Sequence, residues 1–319
     1  MGEPLVPSFV KSRSRLLDYT TVGFLALVWG LAWPFTIVGL RDSDPLMIAS
    51  LRSILGGIGL WGWRARSTSK EQFSGRLFWV TFIAATCWVG IPMALTAWAL
   101  QYISGGLGSI VQSTTPFFVA IFSYFMLREQ ELSAAKIFGL IIGFIGIIIL
   151  FSDDPVEVQG GLALVGGAAI LLTSVLIGFA QVYSRRHFKG RDLLGFNMYV
   201  LLIAGFETLP FCFVGGLPRF SLTVELALSI LYLGILATAI PFVLYFELFQ
   251  RVNIVVLSMV SYIIPVVAVV SGIVWLGERM TPTDVVGSCM VLFGVLIATQ
   301  YRVVQSKLHS RLVSKRMTP

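Results

Sequence analysis

Ten runs of apolar residues, each about the roughly 20 residues needed to cross a hydrocarbon core, make up most of this 319-residue chain. They are Tyr19–Leu40, Pro45–Trp63, Leu77–Gln101, Ile103–Leu127, Ser133–Phe151, Gly160–Tyr183, Leu193–Val214, Leu222–Phe249, Val252–Leu276 and Thr283–Tyr301. The breaks between them are short and polar, as at Arg41-Asp42-Ser43-Asp44, Ser152-Asp153-Asp154-Pro155 and Arg185-Arg186-His187. The pattern predicts an all-α polytopic membrane protein with no room for a soluble domain. The run from Tyr19 is long enough to span and reads as a membrane helix, not as a signal peptide.

The runs repeat. Shifted by 149 residues, Ile91-Pro92, Gln101, Ser109, Pro116 and Glu129 fall on Ile240-Pro241, Gln250, Ser258, Pro265 and Glu278. The expected organisation is a cytoplasmic segment over 1–18, a five-helix repeat over 19–151, a second over 160–301 and a basic tail over 302–319. Five is odd, so the second copy enters the bilayer upside down, giving ten transmembrane helices in two inverted five-helix repeats. In such folds the seam between repeats holds the substrate pathway.

Composition agrees with a bilayer environment: 56% of residues are hydrophobic, 12% are charged, and mean hydropathy is +0.87. A net charge of +7 raises the question of nucleic acid, but the basic residues lie in short loops between spans, where membrane orientation accounts for them. No nucleic-acid partner is expected. With the N-terminus in the cytoplasm, nineteen of the 23 Lys and Arg are internal, Arg41, Arg219 and Arg279 are external, and Arg52 is intramembrane. Both termini are therefore expected in the cytoplasm of a multi-pass cell-membrane protein. Cys87, Cys212 and Cys289 lie singly in apolar runs and read as packing residues.

Polar residues inside the spans are the candidates for a solute path. Ser109, Gln112, Ser113 and Pro116 share one face of span 4, and Ser258, Ser261, Tyr262 and Pro265 repeat that stripe in span 9. Such a face points to a partner helix or a watery cavity; its alternative role is hydrogen-bonded glue between helices. Pro92, Pro116, Pro241 and Pro265 each withdraw an N–H from their helix and predict kinks or hinges. Trp29, Trp33 and Thr36 share a face of span 1, and Ser174, Gly178 and Gln181 share a face of span 6; aromatic faces suit flat or cationic organic solutes, or serve as core. Thr96 and Tyr245, also 149 apart, extend the path one turn beyond their prolines.

Three ionisable residues fall within spans. Glu247 stands four residues before Arg251 and is expected to form an i,i+4 pair at the interface. Arg52 and Glu207 both lie on the order of 10 Å below the same surface at 1.5 Å per residue, Glu207 as the proton-coupling candidate and Arg52 as a structural or carboxylate anchor. Gly139 and Gly143 form a GxxxG expected to mark packing. Thr281-Pro282-Thr283-Asp284 predicts a helix start, with Glu278 and Arg279 before it as a loop salt bridge.

Trp29-Gly30, Pro45 with Arg52, and the run from Tyr245 through Pro265 to Leu276-Gly277-Glu278-Arg279 resemble the EamA-like branch of the drug/metabolite transporter superfamily. The resemblance covers nearly the whole chain and implies a ten-helix carrier in the cytoplasmic membrane, exporting amino acids or other small metabolites. The two copies depart from the pattern in different places: Leu127-Arg128-Glu129-Gln130 in the first lacks the glycine, and span 6 in the second lacks a Trp-Gly.

The expected function is therefore secondary transport of a small organic metabolite by alternating access, with a small-molecule solute and the lipid bilayer as partners and a homodimer compatible with the chain. The alternatives are a membrane scaffold or lipid scramblase without a specific solute and, as a third class, a membrane-embedded enzyme. The enzyme needs a clustered nucleophile, metal or acid–base pair, whereas His187 and His309 fall in cytoplasmic segments and no HExxH occurs. No catalytic residue, metal or cofactor is expected, and without a GxxxxGK[ST] loop the energy source is an ion gradient or the solute's own.

Overall fold

Helix N-caps and short polar turns divide the chain in the computed structural model, which describes residues 15–65, 75–127, 134–152, 161–188, 192–251 and 254–298. The described residues form helices and one isolated β-bridge, Ser43 with Phe220. In chain order the helices are α1 (Arg15–Gly39), α2 (Pro45–Arg64), α3 (Gly75–Ala99), α4 (Gly105–Leu127), α5 (Ala134–Leu150), α6 (Leu162–His187), α7 (Leu193–Phe213), α8 (224–251), α9 (254–276) and α10 (Pro282–Ala298). Seven of them, α1 to α4 and α6 to α8, contain stretches long and apolar enough to cross a membrane. Shorter apolar stretches, Ile137–Leu150, Val260–Leu276 and Pro282–Ala298, lie in α5, α9 and α10. Large apolar side chains face outward, among them Trp79, Phe125 and Ile148 at 63%, 69% and 70% exposed, a surface that only lipid solvates well. The chain is a multi-pass membrane protein.

Four helix starts are built from their own capping residues. Asp192 Oδ1 accepts the Gly195 N–H at 2.7 Å to start α7, and Ser104 and Thr223 hydroxyl oxygens accept N–H groups of Leu107 and Leu226 to start α4 and α8. Before α10 the predicted capping box forms reciprocally: the Thr281 N–H donates to Asp284 Oδ2 at 2.7 Å and the Asp284 N–H to Thr281 Oγ1 at 3.1 Å.

Two polar clusters tie the ends of the bundle. At the first, hereafter the Asp44 end, the Arg219 N–H donates to Asp44 Oδ2 at 2.8 Å, Arg219 Nη2 donates to the Leu40 carbonyl at 2.7 Å, and Thr223 Oγ1 donates to Asp42 Oδ2 at 2.6 Å. At the opposite, Arg64 end, Arg64 Nε and Nη2 reach Asp192 Oδ2 at 2.9 and 2.7 Å. The two clusters bracket α2 and α7, which run antiparallel between them.

Glycines let the helix backbones meet. A Cβ on Gly57 would lie 2.6 Å from Leu202 Cγ and one on Gly205 2.9 Å from Ile54 N, and Ser50 Oγ donates to the Gly205 carbonyl at 2.8 Å, closing α2 on α7. In α5 a Cβ on Gly139 would lie 2.5 Å from the Gly294 carbonyl and one on Gly146 2.8 Å from the Gly287 carbonyl, so the GxxxG does mark packing, against α10. Gly30 of α1 sits on Val267 of α9, and Gly178 of α6 on Phe118 of α4. Replacing Gly146 by Val sets a branched side chain against backbone that cannot yield, and should cost roughly 1–3 kcal/mol, read as a lowered thermal midpoint in detergent. Gly62→Ala, with open space around its Cβ, should leave the midpoint unchanged.

Candidate functional site

The path-forming candidates lie where the helices lose regular α geometry. In α3 a π-helical stretch, Ala85–Gly90, runs into Ile91-Pro92, and in α8 another, Tyr232–Ala239, runs into Ile240-Pro241. Proline offers no N–H and its ring crowds the preceding turn, so the backbone takes up an extra residue there. The predicted continuous span 4 is interrupted: α4 is helical over Gly105–Gln112 and again over Thr115–Leu127, with Ser113 and Thr114 in a turn ahead of Pro116. In α9, Pro265 lies within the helix Ile254–Ser271, which ends in a π-helical turn, Gly272–Leu276.

Side chains from other helices supply hydrogen bonds at the irregular turns of α8 and α4. Trp29 Nε1 of α1 donates to the carbonyl of Ala237, four residues before Pro241, at 3.0 Å, and its ring lies 5.6 Å from that of Tyr245. The carbonyl of Gln112, four residues before Pro116, takes the hydroxyls of Thr115 at 2.7 Å and Ser174 of α6 at 3.4 Å, while Gln112 Nε2 donates to Thr173 Oγ1 at 3.3 Å. The contacts thus gather the candidates into two groups, Trp29 with Tyr245 between α1 and α8, and Gln112 with Ser174 between α4 and α6. Thr173 is a partner that the sequence reading did not pick out; its signal was its place beside Ser174 on a spanning helix.

Other candidates take packing or self-bonded positions. Ser109 and Ser113 are buried, and their hydroxyls donate to their own helix at Gly106 and Ile110 carbonyls, a local pattern that bends helices. Trp33 is buried against Gly105 and Gly108, where a Gly108 Cβ would lie 2.7 Å from Trp33 Cζ3. Tyr262 Oη reaches the Val295 carbonyl of α10 at 3.4 Å. Thr96, Gln181, Ser261 and Pro116 are half-buried, and Pro265 is buried. The side chains of Ser258, Glu247 and Gln250, and Glu129 altogether, lie outside the described residues.

The two intramembrane charges with described side chains, Glu207 and Arg52, meet threonines of the two irregular turns, not each other. Thr86 Oγ1, in the π-helical stretch of α3, donates to Glu207 Oε2 of α7 at 2.8 Å, and Glu207 Oε1 packs over Gly90, where a Cβ would collide with it. Arg52 Nη2 of α2 donates to Thr238 Oγ1, in the π-helical stretch of α8, at 3.4 Å. Threonines one or two turns ahead of an intramembrane proline are the sequence signal that would have found both.

Glu278 departs from its expected pairing with Arg279. Its carboxylate accepts the N–H groups of Gly105 at 2.9 Å and Gly106 at 3.3 Å, occupying the N-terminus of α4, where the free amides and the helix dipole favour an anion. The turn at Gly277, with φ of 70°, and the side-chain-free Gly272 let the carboxylate fold back against α9 to reach it.

The model of the EamA-like transporter family matches residues 20–152 and 164–300. The chain belongs to that family. It is similar to YoaV of Bacillus subtilis, an uncharacterized transporter, at 26% identity over 86% of this chain and 94% of YoaV. It is also similar to protein PecM of Dickeya dadantii, at 24% identity over 86% of this chain and 89% of PecM, and to the uncharacterized inner membrane transporter YedA of Escherichia coli, at 24% identity over 91% and 93%. A crystal structure shares the fold across 96% of this chain and 100% of its own, with a TM-score of 0.61 at 19% identity. In this EamA-like chain, then, the intramembrane Glu207 of α7 and Arg52 of α2 meet threonines of the π-helical stretches of α3 and α8.

Gly90 is what lets the Glu207 carboxylate lie across α3. In Gly90→Ala the carboxylate must leave Thr86, and mapping by mass spectrometry should find Glu207 modified faster by a hydrophobic carbodiimide than in the parent protein; equal rates would mean that Gly90 does not hold it.

Proposed function

We propose that this EamA-like protein is a secondary carrier that exports a small organic metabolite across the cell membrane by alternating access, and not an enzyme. In this reading ten membrane-crossing helices form two inverted five-helix repeats. Antiparallel pairing of α2 with α7 and of α5 with α10 supports it, because each helix then meets its own counterpart. Gly30 on Val267 and Gly178 on Phe118 support it too, since Val267 and Phe118 are 149 residues apart. The two stretches matched by the family model, 20–152 and 164–300, fall one on each repeat.

The observation that carries the proposal is the paired irregularity of α3 and α8, where π-helical turns precede Ile-Pro at positions 149 apart. Non-α backbone at membrane depth is tolerated where protein or a water-filled cavity surrounds it, and π-turns concentrate at functional sites. The path runs between the repeats past Trp29, Gln112, Ser174 and Tyr245, with Ser258, Ser261, Tyr262 and Thr96 meeting the solute in the states that open them. By the distribution of Lys and Arg the Asp44 end is external and both termini are cytoplasmic. The Glu278 carboxylate on the α4 amides then closes the external side, and it has to leave those amides for the outward-open state. Glu207 carries the coupling proton.

Metabolite profiling of cells with and without the protein nominates the solute, and flux of that solute in proteoliposomes tests the reading. Saturable, competable flux is expected, with Glu207→Gln losing drive by a pH gradient while exchange down a solute gradient persists. Lipid scrambling without saturable flux would instead identify a scramblase, and neither activity a scaffold.

A further inference from the structure

Three arginines at or inside the bundle are held in very different ways. Arg64 makes two hydrogen bonds to Asp192. Arg219 pairs with Asp44 at 3.8 Å and donates to the carbonyls of Leu40 and Ser43. Arg52 lies about 10 Å into α2 from its start at Pro45, and among the described residues makes one hydrogen bond, at 3.4 Å to Thr238 Oγ1. Its Nε is buried without a partner, and among the described residues the guanidinium has no ion pair.

The first two are arginines that the fold has tied down; Arg52 is a cation that the fold leaves open. A cation at membrane depth without an opposing charge is costly, and five N–H donors ask for more than one hydroxyl. Thr238 cannot supply more, because its own hydroxyl hydrogen goes to the Leu233 carbonyl at 2.7 Å, leaving its oxygen only to accept. Glu207, the other intramembrane charge with a described side chain, is engaged by Thr86. The setting is also the place in α8 where the backbone changes form: Thr238 follows Ala237, whose carbonyl takes Trp29, and precedes Ile240-Pro241. Gly56 and Gly59 bring α2 onto that turn, with a Gly56 Cβ 2.8 Å from Thr238 Cγ2 and a Gly59 Cβ 2.9 Å from Ala239 Cβ.

We propose that Arg52 is the seat of an organic carboxylate, the anionic group of the transported solute, which completes the guanidinium when α8 bends at its π-helical turn. This rests on the carrier reading above and adds to it the charge of the solute. A carboxylate matches the planar fork of Arg with two parallel hydrogen bonds, which a Lys ammonium cannot reproduce. An empty site keeps the cation underpaired, so loading and the bend of α8 are coupled.

The test uses the purified full chain in detergent and thermal unfolding with benzoate, lactate and L-phenylalanine, each beside its carboxamide, and with sodium chloride at matched ionic strength. At least one carboxylate is expected to raise the midpoint saturably, while its carboxamide and chloride do not. Arg52→Lys should weaken that binding roughly ten- to hundredfold, the loss of one charge-assisted hydrogen bond, and Arg52→Gln should abolish it. Because Arg52→Gln can also fail to fold, Arg52→Lys is read alongside it, and elution as a monodisperse species with parental helicity qualifies either. Equal effects of acid and carboxamide, an equal effect of chloride, stabilisation by none of the carboxylates, or parental binding in Arg52→Lys would each overturn the proposal. Saturable proteoliposome flux of an uncharged solute, unaltered in Arg52→Lys, would remove the carboxylate site and leave the carrier. Arg52-dependent carboxylate binding with no flux would do the reverse.

Discussion

In hydrocarbon, apolar side chains gain little by leaving lipid for one another, and every backbone polar group needs a partner inside the protein. Close approach of helix backbones at glycine is how this bundle meets the first condition. Gly57 and Gly205 bring α2 and α7 together, and Gly139, Gly146, Gly287 and Gly294 bring α5 and α10 together, at separations that no side chain would permit. At Pro241 and Pro116 other helices help to meet the second condition. Trp29 serves the Ala237 carbonyl and Ser174 serves that of Gln112, so the irregular turns of one helix are held by side chains of another.

This arrangement links local backbone form to intramembrane charge. The threonines that receive Glu207 and Arg52 belong to the π-helical stretches of α3 and α8, while the charges themselves come from α7 and α2, a packed antiparallel pair. Bending either irregular turn displaces the partner of a charge, with no change needed in the rigid pair behind it. A third charge, Glu278, joins α9 to the first turn of α4 at the Asp44 end. Charge-assisted bonds of this kind are strong when made and are replaced by water when the end opens, which suits a contact that forms in one state and not in another.

Much of the architecture was legible because its signals are local. Pro45 and Leu193 begin α2 and α7 where the apolar runs begin, and Thr281 with Asp284 forms the capping box its spacing specifies. The site was less legible because its partners are remote. Nothing near Glu278 indicates that its carboxylate meets Gly105 and Gly106, 173 and 172 positions away, instead of neighbouring Arg279. The serine stripe of span 4 illustrates the same limit: Ser109 and Ser113 satisfy themselves on their own helix, and only Gln112 reaches across to α6. Periodicity identifies a face, but a hydroxyl's choice between its own carbonyls and a neighbour's depends on the interhelical distance, which periodicity does not encode.

The central claim is that α4 and α9 part at the Asp44 end in one state and are held by Glu278 in the other. Pulsed electron–electron distance measurements between spin labels at the exposed positions Gln101 and Arg279, in lipid nanodiscs, address it directly. The account predicts two distance populations, with the shorter one dominant in the parent protein and the longer one enriched by Glu278→Gln. A single narrow distance, identical in parent and variant, would contradict it.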